Sequence, residues 1–350
     1  MASRPIRPTF GEALLEWYDA HSRLLPWRVG PGASESADPY RVWISEIMLQ
    51  QTGVKVVVPR FERFVGRWPT VDALAAASVD DVVGEWAGLG YYSRARNLHA
   101  CASLVMEKHG GRFPSTEREL LALPGIGDYT AAAIAAIAFG HPVAVVDGNV
   151  ERIVARVLTL ERPPKAVARL VKEAVGAWVP ADRPGDFAQA TMDLGAMICR
   201  PRSPACLACP ISSRCLGCRS GAPERWPVRE AKRQRPSRVG AAFVATRPDG
   251  AVLLTRRAPR GLLGGTVSVP MTAWSSRSDG ATAVDEAPLP ADWRLRGVAT
   301  HGFTHFDIAL DVWTAVTNAA APEGHWWSAD PEAEGVTTLL GRVLDVARAS

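Results

Sequence analysis

Apolar residues recur at intervals of three and four over the first two thirds of the chain, and at intervals of two over much of the last third. From about residue 8 to 217 the longer spacing, punctuated by Pro and Gly, predicts a succession of helices and an all-α globule. Several helix ends are marked locally. Asp38 followed by Pro39 reads as an N-cap and first helical residue, and Thr116 with Glu119 reads as a capping box. The short helix opened by Thr116 ends at Leu123-Pro124-Gly125-Ile126-Gly127, and an alanine-rich helix begins near Tyr129, which predicts a helix-hairpin-helix unit. Asp147 precedes a further helix whose apolar positions are Val150, Ile153, Val154 and Val157. Beyond residue 238 the period falls to two. Ala241 to Thr246 and Val252 to Arg256 flank the turn Pro248-Asp249-Gly250, and Ile308, Leu310 and Val312 alternate with Asp307 and Asp311. Residues 275 to 292, polar and Pro-rich, read as a loop, and Thr337 to Ala349 as a closing helix, so the C-terminal part is expected to be a small α/β domain. No internal repeat is visible.

Between the two patterns, Arg219 to Arg238 is rich in Arg, Lys and Pro, lacks periodicity and contains Lys232-Arg233-Gln234-Arg235. It reads as a basic linker, either a solvated tether or a segment that touches phosphates. The division is therefore 8–218, helical; 219–238, linker; 239–350, α/β. A length of 350 residues agrees with two folded units. With 47% apolar and 22% charged residues and no apolar run long enough for a membrane span, a soluble globular protein without a membrane partner is expected. The segment Met-Ala-Ser-Arg-Pro-Ile-Arg-Pro lacks the apolar stretch of a secretory signal, and two arginines with a serine only faintly resemble a transit peptide, so the expected setting is the cytoplasm. A formal charge of +4 permits a polyanionic partner without requiring one.

Four of the six cysteines change the picture. Cys199, Cys206, Cys209 and Cys215 are spaced C-x6-C-x2-C-x5-C, a compact run of thiols that can wrap one iron–sulfur cubane or one tetrahedral zinc. Thiolate chemistry alone leaves both open. Cys218, just outside the pattern, and Cys101, far from it, are expected to be bystanders. Arg200, Arg202, Arg214 and Arg219 put positive charge around the run, to be either solvated or laid against a phosphate backbone. In the hairpin, Gly125 and Gly127 let the backbone turn tightly, and N–H groups at the following helix start can bind a phosphate without reading sequence.

Hairpin and cysteine run together resemble the endonuclease III superfamily of DNA glycosylases, which flip a base out of the duplex and cleave its N-glycosidic bond. Within it, four stretches resemble the MutY-type adenine DNA glycosylases. They are Leu25-Pro26-Trp27-Arg28, Ser45-Glu46-Ile47-Met48-Leu49-Gln50-Gln51-Thr52, Gly88 to Leu98 (GLGYYSRARNL), and Val146-Asp147-Gly148-Asn149-Val150. The resemblance spans nearly all of the helical part. It implies one [4Fe-4S] cluster per chain held by the four cysteines, and as substrate double-stranded DNA carrying adenine opposite 8-oxoguanine or guanine. It further implies a monomer working on the nucleoid.

The family's roles then fall on matching positions. Glu46, set among Trp43, Ile47 and Leu49, is expected to have a raised pKa and to protonate the adenine ring at N7. Asp147 would support the cation that forms on the sugar, electrostatically or by transient covalent capture, and Asn149 would position it. Tyr129 stands where bifunctional relatives carry a Schiff-base lysine, which implies a monofunctional enzyme with Tyr129 assisting the transition state. Gln51 and Tyr91 would wedge into the base stack near the lesion, Thr52 would bind the DNA or base, Arg28 would shape the adenine pocket, and Gly125 and Gly127 would meet a phosphate. The C-terminal part resembles the MutT-like (Nudix-fold) domain of the same enzymes through Gly261-Leu262-Leu263-Gly264-Gly265 and through Phe303-Thr304-His305, where family members commonly carry Phe-Ser-His. Thr304 keeps the hydroxyl but adds a methyl group, which bears on selectivity for the oxidised base. No glutamate cluster for magnesium occurs between residues 264 and 300, so the domain is expected to read a base and not to hydrolyse a nucleotide. Three other functions compete: a pyrimidine or thymine mismatch glycosylase of the same superfamily, a non-catalytic damage binder, and an iron–sulfur electron carrier.

Overall fold

A computed structural model describes residues 9–33, 35–228, 235–258 and 261–349. The chain forms two compact units, one of residues 1–77 and 97–231, the other of 78–96 and 232–350. Along the chain run α1 (Phe10–His21), α2 (Pro39–Leu49), α3 (Val54–Arg67), α4 (Val71–Ala76), α5 (Val79–Glu85), α6 (Ser93–His109), α7 (Glu117–Leu120), α8 (Asp128–Phe139), α9 (Gly148–Leu158), α10 (Ala168–Trp178), α11 (Pro184–Met197) and α12 (Leu216–Arg219). There follow β1 (Ser237–Thr246), β2 (Val252–Arg256), β3 (Val267–Ser268), β4 (Arg294–Gly302), β5 (Asp307–Val316), β6 (His325–Ser328) and α13 (Thr338–Arg348).

In the helical unit, α8 and α9 are packed against α11, with α2 also against α8. The alanines of α8 explain its central place. Ala131 to Ala136 include no large side chain but Ile134, and this stretch is almost wholly buried, so neighbouring backbones come close. At Gly185 an added Cβ would stand 2.8 Å from the Ala136 carbonyl oxygen, which measures that closeness. A separate core forms where Phe10, Leu14 and Tyr18 of α1 meet Val150, Ile153 and Val154 of α9 and Phe187 and Leu194 of α11. The expected caps are present: Asp38 accepts from the Tyr40 N–H, Thr116 from Glu119, and Asp147 from Val150. Of the two hairpin glycines, Gly125 has φ +76°, and a Cβ there would stand 2.7 Å from the Cβ of Asn97. Gly127 lies at φ −101°, a conformation open to any residue, so the expected conformational need for glycine holds at Gly125 alone.

The second unit is built on a six-stranded mixed sheet, ordered β3-β2-β1-β5-β4 with β6 also paired to β2. β1 and β5 run parallel over ten residue pairs, β4 and β5 form a hairpin, and α13 packs on that side. Ile308, Leu310 and Val312 point into the core as their alternation predicted, meeting Leu339, Leu340, Val343 and Leu344 of α13. Between β3 and β4 the only helical element is a single 3-10 turn, Val284–Glu286. A glutamate-bearing helix of the kind a magnesium-dependent hydrolase needs is thus not built there.

Both described ends of the 219–238 segment make contacts within the folded units. Residues 220–228 do not hang free. Trp226 is buried and its carbonyl accepts from Arg156, while Glu224 accepts from the Ser203 N–H. Arg235 donates to the Phe303 carbonyl at 3.0 Å and faces Asp307. Lys232, Arg233 and Gln234 lie outside the described residues.

Candidate active site

A cleft of about 640 Å³ opens in the helical unit between the C-terminal half of α2, the start of α8, the start of α9 and the face of α11. It brings together Arg28, Glu46, Gln51, Thr52, Tyr129, Asp147 and Asn149, seven positions named from the sequence. A second cavity of about 710 Å³ lies in the C-terminal unit against β4, β5 and α13, but none of these residues lines it. Each side chain in the cleft is placed by its element. The Asp38 cap and Pro39 set the phase of α2, so that Glu46 falls on its inner face with Val42, Trp43 and Ser45, and is 5% exposed. Tyr129 follows the hairpin in the first turn of α8, and its hydroxyl donates to Glu46 Oε2 at 2.6 Å. Asp147 uses one oxygen to cap α9 through the Val150 N–H at 2.8 Å. Its other oxygen accepts from Asn149 Nδ2 at 2.7 Å.

The electrostatics follow from burial. Glu46 is pushed up to about 7, chiefly because its carboxylate has lost water and secondarily because Asp147 is nearby, against a downward pull from the Tyr129 hydroxyl and Arg28. Tyr129 is driven well above the ordinary phenol range by burial and then by Glu46 and Asp147, so it remains a neutral donor. Two carboxyl groups thus share one cleft in different settings: Glu46 is buried and holds its proton near neutrality, and Asp147 is hydrogen-bonded by Asn149 and a helix start. That division suits one group to give a proton and the other to face a developing cation.

Sequence reasoning missed the far wall. Asp193 on α11, fully buried, takes both ends of the Arg28 guanidinium at 2.8 and 2.9 Å and also Arg23 Nε at 2.6 Å. Gln189 and Met192 of the same helix line the cleft. Close fit holds this wall in place, since a Cβ on Gly195 would lie 2.5 Å from the Cβ of Asn149. Arg152 extends the Asp147–Asn149 pair. Its guanidinium donates to Asn149 Oδ1 and the Gly195 carbonyl, each at 2.8 Å, and to the carbonyl of Cys199 at 2.8 Å. One signal was available: Asp193 and Arg156 sit on the apolar stripes of their helices, where a charge must find a buried partner.

At the end of that chain of contacts, Cys199, Cys206, Cys209 and Cys215 line one small pocket walled by Ile153, Val157, Leu194, Ile198 and Ile211. Arg156, 2% exposed, donates to Cys199 Sγ at 3.3 Å and to the carbonyls of Arg200 and Pro201. Cys218, expected to be a bystander, lines the same pocket. Among the described residues no group of three or more His, Cys, Asp and Glu side chains is placed to hold a metal ion. The cysteines line one pocket together with Arg156 and apolar walls, and thiols so grouped are a donor set that suits an iron–sulfur cluster.

The remaining sequence-named residues lie elsewhere. Phe303, Thr304 and His305 form the tip of the β4–β5 hairpin, where Thr304 and His305 are exposed and Phe303, half-buried against the core, stacks on Phe306 at 4.8 Å. In the same unit the Tyr91 hydroxyl hydrogen-bonds Thr304. Gln51 at φ +59° and Tyr91 at φ +47° both hold the left-handed backbone that side chains avoid. Such strain is typical of residues kept in place for a contact.

Comparison with known proteins bears on this geometry. The profile of the HhH-GPD superfamily of base excision DNA repair proteins matches residues 44–177, and that of the NUDIX domain matches residues 241–345. An adenine DNA glycosylase of Homo sapiens is 35% identical across 96% of this chain and 73% of its own length. The chain belongs to the adenine DNA glycosylase family. A second member, from Mycolicibacterium smegmatis, is 42% identical over 57% of this chain and 66% of that protein. Among solved structures, a thermostable thymine-DNA glycosylase superposes with a TM-score of 0.55 at 29% identity, over 60% of this chain and 95% of that one. Membership makes the chain a DNA glycosylase of base excision repair, with a helix-hairpin-helix domain followed by a Nudix fold. No helix among the described residues is long and apolar enough to cross a membrane.

Proposed function

We propose that the enzyme is monofunctional: it flips out and excises adenine mispaired with 8-oxoguanine, or with guanine, leaving an abasic site. The observation that carries this reading is the cleft in which Glu46, buried and bonded to Tyr129, faces a cavity shared with the Asp147–Asn149 pair. Glu46, still protonated near neutrality, gives its proton to adenine N7 and makes the base a leaving group. Asp147, fixed by Asn149 and the α9 N-terminus, faces the cationic sugar. Tyr129 stands where a strand-cleaving relative would present an amine; its phenol keeps its proton and orients Glu46. Arg28, locked by Asp193, shapes the pocket for the base. Gln51 and Thr52 border the cleft and meet the opened stack, and the uncapped start of α8 after Gly125 and Gly127 receives a phosphate. Phe303, Thr304 and His305, on the hairpin tip where Thr304 meets Tyr91, read the oxidised base.

The four cysteines are assigned one [4Fe-4S] cluster, supported by the shared pocket and by the Arg156 donor on Cys199. When bound, it cross-links residues 199–215 and neutralises thiolate charge beside Arg152 and Arg156. The working form is assigned as a monomer on the nucleoid in the cytoplasm.

The fold similarity to a thymine-DNA glycosylase favours one alternative, a pyrimidine mismatch enzyme. Base release from duplexes with adenine opposite 8-oxoguanine, guanine and thymine, and with thymine opposite guanine, developed with and without alkali, separates the readings. Adenine release that favours 8-oxoguanine, needs alkali to show strand breaks and is abolished in Glu46→Gln is the expected result. Thymine release, breaks without alkali, or duplex binding with no base released would each refute it.

A further inference from the structure

The sulfur site contains one thiol more than a four-iron cluster needs. Cys206 and Cys209 form one C-x2-C pair, and Cys215 and Cys218 form a second, so five thiols lie within 20 residues of sequence. Cys218 belongs to α12, one turn beyond Cys215, and its backbone N–H donates to Cys215 Sγ at 3.3 Å. Its direction is fixed by packing. A Cβ on the neighbouring Gly217 would stand 2.8 Å from the Arg156 carbonyl oxygen, so α12 is pressed onto α9 and Cys218 faces the pocket. There it lines the same space as Cys206. Of the four expected ligands, Cys199, Cys209 and Cys215 pack into or against the helical core, and Cys206 does not. It sits on a 3-10 turn, Cys206–Ala208, whose next residue, Leu207, is wholly exposed. With Cys206 removed, Cys199, Cys209, Cys215 and Cys218 still put four thiols around the same pocket.

We propose that Cys218 is a reserve ligand of the cluster site, taking the corner of Cys206 when that thiolate is lost. The inference rests on the assignment of a cluster to these cysteines. In the exchange the bond from Cys206 sulfur to iron would break and that sulfur would take up a proton, while the Cys218 thiol would release its proton to solvent and its sulfur would bond the same iron. Iron–sulfur bonds break and form, and no external oxidant or reductant is consumed. The consequence for the enzyme is a cluster that survives damage at its exposed edge.

The test measures iron and acid-labile sulfide per chain, with the visible charge-transfer absorbance, in full-length wild type, Cys206→Ala, Cys218→Ala and the double variant. Wild type and Cys218→Ala are expected to hold about four irons per chain. Cys206→Ala should retain most of that, and the double variant should lose it. A Cys206→Ala protein as empty as the double variant overturns the proposal, and so does a double variant as full as Cys206→Ala. Wild type without iron or sulfide would instead overturn the cluster assignment itself and this inference with it. If Cys206→Ala does not fold, bleaching by hydrogen peroxide decides the matter. Cys218→Ala should lose its absorbance several-fold faster than wild type, and equal rates overturn the proposal.

Discussion

Replacing Glu46 by glutamine should abolish excision and at the same time make the folded protein more stable at neutral and alkaline pH. Glu46 has a folded pKa of about 7 against an ordinary value of 4.5, and burial is the main cause. A shift of that size corresponds to roughly 3 kcal/mol. The sign follows from proton binding. Between about 4.5 and 7 the unfolded chain has released the Glu46 proton while the folded protein still holds it, so stability falls as pH rises across that window. Below it both states are protonated and the contribution is fully present; above it both are ionised and the loss is complete. Glutamine keeps the shape, can still accept from Tyr129, and never ionises. The variant should match wild type near pH 4.5 and exceed it by up to roughly 3 kcal/mol above pH 7, a rise of about 6 to 12 °C in the midpoint for a domain of this size.

Urea unfolding of both proteins from pH 5 to 8.5, followed by tryptophan fluorescence, measures the difference directly. A parallel single-turnover assay should show wild-type excision flat at low pH and falling about tenfold per pH unit above 7, as the protonated acid is depleted. Two results would defeat the reasoning: a stability difference that does not vary with pH, or a glutamine variant less stable than wild type at pH 8. Either would mean that Glu46 is not the buried acid of this cleft.

Three further perturbations probe its neighbours. Tyr129→Phe removes the hydrogen bond that favours the ionised Glu46, so the alkaline limb of the excision rate should move to higher pH; a limb moving down, or staying, contradicts the pairing. Gly195→Ala puts a methyl group 2.5 Å from the Cβ of Asn149, which must shift and loosen Asp147; single-turnover excision should slow at least tenfold while duplex affinity, read by fluorescence anisotropy, stays within about twofold. Asp193→Asn leaves Arg23 and Arg28 facing a buried neutral group, at a cost of about 3 to 5 kcal/mol in chemical denaturation; a cost below about 1 kcal/mol would show that the arginines find other partners.

How much of this was legible in the sequence depended on the range of the interaction that fixed each residue. Glu46, Tyr129 and Asp147 owe their positions to signals within a few residues of themselves: an Asp-Pro helix start, a Pro-Gly turn and an N-cap aspartate. Local signals of that kind survive in a one-dimensional reading. The β-strands of the second unit were readable for the same reason, because alternation declares which face is buried. What was not readable is what crosses the chain. Arg28 and Asp193 meet over 165 residues, and Arg156 and Trp226 over 70, so no window of sequence contains both partners. Only half of each pair gave notice, as a charge on an apolar stripe, and that predicts a partner without naming it.

Cys218 shows the same limit from the other side. Spacing singled out four thiols and set the fifth aside, because a pattern match asks which residues belong to a motif and not which side chains face a common space. In the folded chain the distinction between ligand and bystander is made by α12. Its single turn, held against α9 by the absence of a side chain at Gly217, points Cys218 into the pocket that Cys206 lines. A residue larger than glycine at 217 would lift that turn, leave the four motif cysteines in sequence order and remove the fifth from the pocket. The reserve ligand is therefore a property of the packing between α9 and α12. Gly217→Ala should expose it as such, sensitising the absorbance to peroxide as Cys218→Ala does; a Gly217→Ala protein that bleaches at the wild-type rate would separate the thiol from the packing that is argued to aim it.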